Sequence, residues 1–211
     1  MKVAVSFLSS DNYEDGIKKI NESSADLIHA DYMDGIFVEN QTFTIPELKK
    51  WIKGVNKPVD IHLMATSPNK YIRDLVKIPE INTIIIHAES HRHPIDVINM
   101  INHTGKKSGI AINPETKVVH IIPYLKKLDK VLIMSVKPGA GGQAFMKDVL
   151  YKVATLLDIK KEGGYHFTIS IDGGVNDETI KLCKEAKLDE IVSGSYVMKS
   201  SSIEDAIKKL R

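Results

Sequence analysis

Four side chains in this 211-residue chain, His29, Asp31, His62 and Asp172, are of the types that bind cations and move protons. Each falls in a short run rich in β-branched residues: ADLIHAD (25–31), VDIHLM (59–64) or HFTISID (166–172). Alternate residues of a strand share a face. His29 therefore faces with Asp31, Asp60 and His62 with Met64, and Ser170 with Asp172, at what read as the last inward positions of runs otherwise made of Ile, Val and Leu. A carboxylate or imidazole buried there is costly without a partner. The partner that serves two imidazoles and two carboxylates together is a divalent metal. A lone histidine at a strand end is ordinarily a hydrogen-bonded core residue, but four such groups at the same end of their strands favour a site. His87, near the end of NTIIIHAE (82–89), reads equally as a hydrogen-bonding group behind a ligand or as a core residue.

Glycines mark a second half of the site. Asp172-Gly173-Gly174 follows the seventh run and Gly194-Ser195 the eighth, each ahead of a helix. Barrel enzymes hold phosphate in such turns with backbone N–H groups and a helix N-terminus. One such turn is what any tight connection uses; two in adjacent units point to an anion. Pro138-Gly139-Ala140-Gly141-Gly142-Gln143 is a glycine-hinged loop that either closes over that anion or is simply flexible.

The elements that must position these groups are eight nearly continuous apolar runs, at 2–9, 25–31, 59–64, 82–89, 107–113, 129–136, 166–172 and 189–195. Such runs suit parallel strands covered on both faces. Helices are expected between and after them at 13–24, 44–54, 68–77, 93–103, 116–127, 144–162, 175–186 and 202–210. Thr44, with Pro46 and Glu47 behind it, has capping-box spacing, and Ser67-Pro68 reads as a similar helix start. Units of roughly 26 residues match a single-domain (β/α)8 TIM barrel over 1–211, an α/β fold whose reactive groups gather at the C-terminal ends of the strands. A doubly wound sheet is the structural rival, but no Gly-x-Gly-x-x-Gly follows the first run.

Composition narrows the function classes. A net charge of +2 with only short lysine pairs gives no basic face for nucleic acid. Cys183 is the one cysteine, so no intramolecular disulfide forms; it reads as a small core residue in a reducing compartment. No apolar run reaches the roughly 18 residues of a membrane span, and the N-terminus turns polar after a few residues. The expectation is a cytoplasmic protein with neither nucleic-acid nor membrane partners.

The segment IHADYMDGIFVEN resembles the HxDxMDGxFVPN signature of ribulose-phosphate 3-epimerases. DIHLM, IIIHAE, INPET, VLIMSVKPGAGGQAF, IDGGV and VSGS follow in that family's order, so the resemblance spans essentially the whole chain. It implies a metal-dependent isomerase in which His29, Asp31, His62 and Asp172 bind one divalent ion, usually zinc, and the two aspartates act as acid and base. It also implies that Ser6 and His62 lie near the substrate and bind it, that Met33, Met64 and Met134 line the reacting centre, and that Gly142, Gly173 and Gly174, with Gly194 and Ser195, hold phosphate. The implied reaction interconverts D-ribulose 5-phosphate and D-xylulose 5-phosphate in the pentose phosphate pathway, and the implied assembly is a homo-oligomer. The chain departs from the pattern at Ile36, Glu39, Lys137 and Ala140, where the family commonly has histidine, proline, an asparagine or acidic residue, and phenylalanine. Those changes affect loop shape and lid closure and leave the four ligands intact.

Side-chain chemistry agrees with these roles. Inverting a carbon beside a ketone means removing its proton and returning one to the other face, which needs two proton-transfer groups. Aspartate at its ordinary pKa of about 3.9 is too weak a base for such a carbon acid. A cation that takes up charge on the ketose oxygens supplies the difference. Methionines near a barrel core normally just pack, but three at one reacting centre would form a wall with no acidic hydrogen. The donor set suits Zn2+ and also Fe2+, Mn2+ or Co2+.

The rivals are an allulose-6-phosphate 3-epimerase with the same chemistry on a hexulose phosphate, and a non-catalytic phosphosugar-binding barrel. A Schiff-base aldolase would need an inward lysine at the end of strand six, where Met134 and Val136 hold the inward parity and Lys137 does not. An orotidine-phosphate decarboxylase would need a lysine on strand three, where Asp60, Ile61 and His62 stand.

Overall fold

The computed structural model describes all 211 residues, Met1–Arg211. Eight parallel strands close in sequence order into one barrel, β8 pairing back onto β1. They are β1 (Lys2–Ser6), β2 (Leu27–Met33), β3 (Val59–Met64), β4 (Ile81–His87), β5 (Lys107–Ile112), β6 (Lys130–Met134), β7 (Thr168–Asp172) and β8 (Glu190–Ser193). The helices are α1 (Tyr13–Glu22), α2 (Ile45–Trp51), α3 (Asn69–Leu75), α4 (Pro94–Asn102), α5 (Tyr151–Gly163), α6 (Ile180–Glu185), α7 (Ser195–Met198) and α8 (Ile203–Lys209). The (β/α)8 expectation is met.

Two apolar cores result from the alternation of the strands. Residues of one parity, such as Val3, Val5, Ile28, Ile61 and Ile84, pack outward against the helices in a single cluster of 48 buried residues. The other parity fills the inside of the barrel with a cluster of eight apolar residues, among them Leu27, Ile85, Leu132 and Val192, and with Met33 and Met64. The rest of the interior is polar. Gly109 on β5 makes room there, since a Cβ at that position would lie 2.8 Å from Ile85 Cγ1. Cys183 is fully buried and unpaired, as expected.

Local structure departs from the sequence reading in several places. The α2 capping box forms, the Thr44 side chain accepting from the Glu47 N–H while the Glu47 carboxylate accepts from the Thr44 N–H. Ser67 does not cap α3, whose N-cap position falls on Pro68 without a side-chain bond. The expected helix at 116–127 is two 3-10 turns, Val118–His120 and Ile122–Lys127. Pro123 offers no N–H, and Val118, Val119, Ile121 and Ile122 crowd an α-helical turn. The stretch expected at 144–162 opens with a 3-10 turn, Lys147–Leu150, and continues as α5. A short extra helix, α7, follows β8 directly. No helix is long and apolar enough to cross a membrane.

Strand β2 runs on to Met33, so the last inward positions on β2 and β3 are Met33 and Met64. His29, Asp31 and His62 lie deeper than the sequence reading placed them. Asp60 and Ser170 do not reach the mouth: they sit towards the opposite end of the barrel with Lys130 and Glu190. There Lys130 Nζ donates to Asp60 Oδ2 and Glu190 Oε1, both at 2.5 Å, and Ser170 Oγ donates to Glu190 Oε1 at 3.0 Å. Asn82 Nδ2 donates to the other Asp60 oxygen at 3.3 Å.

Candidate functional site

At the C-terminal ends of the strands, β2, β3 and β7 bring His29, Asp31, His62 and Asp172 together, one ligand atom from each lying within 4.8 Å of all the others. His62 Nδ1 is 3.1 Å from Asp31 Oδ1 and 3.7 Å from Asp172 Oδ2; His29 Nε2 is 3.4 Å and 3.7 Å from the same two oxygens. A tetrahedral ion with bonds of about 2.0–2.1 Å would set its ligand atoms roughly 3.3 Å apart. The four spacings bracket that value. His29 Nε2 is also buried without a hydrogen-bond partner, an orphaned atom aimed at the centre of the group. A divalent metal fits this donor set and satisfies that atom.

The two carboxylates sit in different surroundings. Asp31 Oδ2 accepts the Ser6 hydroxyl at 2.6 Å, and the backbone beneath it is fixed by Thr42, whose Oγ1 donates to the Asp31 carbonyl at 3.0 Å and accepts the Met33 N–H at 3.0 Å. Burial pushes the Asp31 pKa up, but the His29 and His62 rings outweigh it and hold the carboxyl far below the ordinary range. Burial pushes Asp172 up to about 7, with the Asp31 charge adding to the rise. Burial would lower His29, but Asp31 and then Asp172 outweigh it and raise the ring to about 9. His62 is lowered, first by burial, which suits a neutral ligand nitrogen. One carboxylate is therefore committed to its charge, and the other can carry a proton near neutrality.

Above the four residues lies a cleft lined by Ser6, Met33, Met64, Met134, Gly142, Gly173, Gly174, Gly194 and Ser195 together with Asp31 and Asp172. All the residues singled out as substrate-binding border it except His62, which, like His29, is sealed from solvent. Gly174 has φ +65°, and a Cβ there would meet Phe145 N at 2.6 Å, so the β6–α5 loop can seat against the β7 turn only with glycine at this position. The N-cap position of α7 is Gly194, and no side chain caps its first N–H groups. Lys137 and Ser9 also line the cleft.

Behind the four residues stand two that the sequence reading left open or passed over. His87 Nε2 is 2.8 Å from His62 Nε2, and His87 Nδ1 is 3.2 Å from Glu89 Oε2. Glu89 Oε1 accepts the Asn113 N–H at 2.9 Å and the Thr116 hydroxyl. Burial lowers His87 to about 4, so its ring is neutral. For Glu89, burial acts upward, but the bonds from His87, Thr116 and Asn113 prevail and hold it at about 2. Glu89 was findable from sequence, since it is two residues from His87.

The model of the family described as "Ribulose-phosphate 3 epimerase family" matches residues 2–198. Ribulose-phosphate 3-epimerase of Bacillus subtilis is 39% identical over 215 aligned residues, covering 100% of this chain and 98% of the relative. The protein of the same name from Helicobacter pylori strain 26695 is 36% identical over 211, covering 100% and 97%. Among solved structures, 3-hexulose-6-phosphate synthase from Salmonella typhimurium superposes with a TM-score of 0.70 at 13% identity, over 100% of this chain and 96% of the other. KGPDC from Streptococcus mutans gives 0.72 at 11%, over 99% and 94%. At those identities the structural likeness speaks for the barrel alone.

Proposed function

The chain belongs to the ribulose-phosphate 3-epimerase family and is an isomerase, and from that premise we propose that it interconverts D-ribulose 5-phosphate and D-xylulose 5-phosphate by proton transfer at C3. The observation that carries this reading is the pair of aspartates brought from β2 and β7, with two buried histidines, to one cation-binding group. In one direction the ionised Asp31 accepts the C3 proton while Asp172 delivers its own to the opposite face; in the other the roles exchange. The Ser6 hydroxyl on Asp31 Oδ2 holds that carboxylate in one rotamer, leaving Oδ1 for the site.

His29, Asp31, His62 and Asp172 hold the metal, with zinc the favoured ion. When bound, it supplies electrophilic polarisation of the ketose oxygens, which acidifies the C3 hydrogen. Met33, Met64 and Met134 exclude water from the reacting carbon and offer no exchangeable hydrogen. Gly142, Gly173, Gly174, Gly194 and Ser195 take the phosphate with backbone N–H groups, orienting C3 over the aspartates. The whole chain, 1–211, acts as one catalytic domain in a cytoplasmic homo-oligomer.

The test is solvent isotope entry. In D2O the wild-type protein converts ribulose 5-phosphate to xylulose 5-phosphate carrying deuterium at C3, whereas Asp172→Asn forms no epimer and exchanges the C3 hydrogen of only one of the two ketoses, the one that Asp31 deprotonates. Epimer formed by Asp172→Asn at the wild-type rate rules the two-aspartate scheme out.

A further inference from the structure

Three contacts run in series from the site to its rear wall: Asp31 Oδ1 to His62 Nδ1 at 3.1 Å, His62 Nε2 to His87 Nε2 at 2.8 Å, and His87 Nδ1 to Glu89 Oε2 at 3.2 Å. Both ends of the series are carboxylates, which only accept. Two neutral imidazoles carry two hydrogens between them, so one of the three contacts must go without. Which contact goes without is decided by the end that holds its hydrogen more firmly. The Glu89 end is anchored, because its second oxygen already accepts the backbone N–H of Asn113 and the hydroxyl of Thr116.

We propose that Glu89, acting through His87, is a positioning residue that fixes His62 with its hydrogen on Nε2 and so presents Nδ1 bare to the cation. The inference rests on reading His29, Asp31, His62 and Asp172 as a cation site. With an ion at Nδ1 the count closes: His62 Nε2–H donates to His87 Nε2, His87 Nδ1–H donates to Glu89, and no contact lacks a hydrogen. The ring nitrogen facing away from a bound metal commonly sets the tautomer in this manner. His62 and His87 are wholly buried and their rings stack at 25°, so neither can turn to solvent for another partner.

Glu89→Gln turns this logic around without changing size. The Asn113 N–H requires an oxygen opposite it, so the new amide nitrogen faces His87 Nδ1. His87 must then accept on Nδ1 and donate from Nε2, which drives the His62 hydrogen onto Nδ1, against the cation.

The experiment titrates metal-free protein with Zn2+ against a competing chelator, with no substrate present. Glu89→Gln is expected to weaken Zn2+ binding by roughly 10- to 100-fold, the usual cost of losing a partner of a metal-bound histidine. Its melting temperature without metal should not fall below the wild-type value, since the reversed chain places a hydrogen in every contact, His62 Nδ1 then donating to Asp31. In the zinc-loaded wild type, nitrogen-15 NMR of the imidazoles should place hydrogen on His62 Nε2 and His87 Nδ1. Equal Zn2+ affinity in the two proteins, or hydrogen on His87 Nε2 in the loaded wild type, overturns the role of Glu89. If the wild type binds no Zn2+, the cation site itself is refuted and the proposal falls with it. If Glu89→Gln folds poorly, the imidazole spectrum of the loaded wild type decides alone.

Discussion

The two ends of the barrel interior each bury a pair of carboxylates, and the fold treats them differently. Towards the N-terminal ends of the strands, Asp60 and Glu190 close on Lys130 Nζ, a cation the chain supplies itself, and none of the group's fully buried polar atoms is left without a partner. At the mouth, Asp31 and Asp172 pair with no lysine, and His29 Nε2, 3.4 Å from Asp31 Oδ1, makes no hydrogen bond. A buried charge group that is internally complete stabilises or specifies a fold; one left short by a cation is built to take something in. The difference explains why one polar cluster is structural and the other is the candidate for chemistry.

The contrast breaks most visibly in activity. Asp31→Asn should lower kcat by about 10²–10⁴-fold, the range for a lost general base, while the fold survives. Asp60→Asn should leave kcat within a factor of about two. A comparable loss from both, measured on folded protein, would erase the distinction between the ends.

Lys130→Met tests the other end and should cost about 3–5 kcal/mol in urea unfolding, because two carboxylates then lie buried without a counter-charge. Adding Asp60→Asn and Glu190→Gln to that variant should recover most of the loss.

Metal sharpens the comparison next. Zn2+ at 100 times its dissociation constant should stabilise the protein by about 2.7 kcal/mol, and His29→Ala should abolish that gain while Lys130→Met should not. A gain that survives in His29→Ala would place the ion elsewhere.

Acidity gives the smallest effect. In chelated protein the raised Asp172 favours the fold below about pH 4, and its contribution fades as pH climbs to about 7. The raised His29 contributes fully below about pH 6.5 and loses its contribution as pH passes about 9. Below about pH 6.5 the lowered His62 and His87 act the other way, adding stability as pH rises, so the clean window is pH 7 to 9, where the loss of the His29 contribution should lower the melting temperature of metal-free protein, by on the order of 2 kcal/mol in stability. Saturating Zn2+ should flatten that slope. A melting temperature that rises across this range would contradict the assigned charges.

Parity within the apolar runs made the mouth legible: a histidine or aspartate among isoleucines, facing inward with another, is visible without coordinates. The N-terminal cluster was not. Lys130 and Glu190 stand second in their runs, behind Asp129 and Asp189, and charged residues at the start of a strand normally mark its exit to solvent; only closure of the barrel brings them across to Asp60. His29 was recognised but set too near the rim, because β2 continues through Asp31 to Met33, a boundary no residue type announces. The 3-10 turns before β6 were legible in principle from Pro123 and its branched neighbours, but helical periodicity concealed them.

Asn40 Nδ2 donates to the Gly139 carbonyl at 2.7 Å, and a Cβ on Gly139 would lie 3.0 Å from Val38 Cβ. The β2–α2 and β6–α5 loops therefore form one mechanical unit over the mouth. Grafting either loop from a relative would break a shared seam, so a changed sugar preference in this scaffold is reached by exchanging the two together.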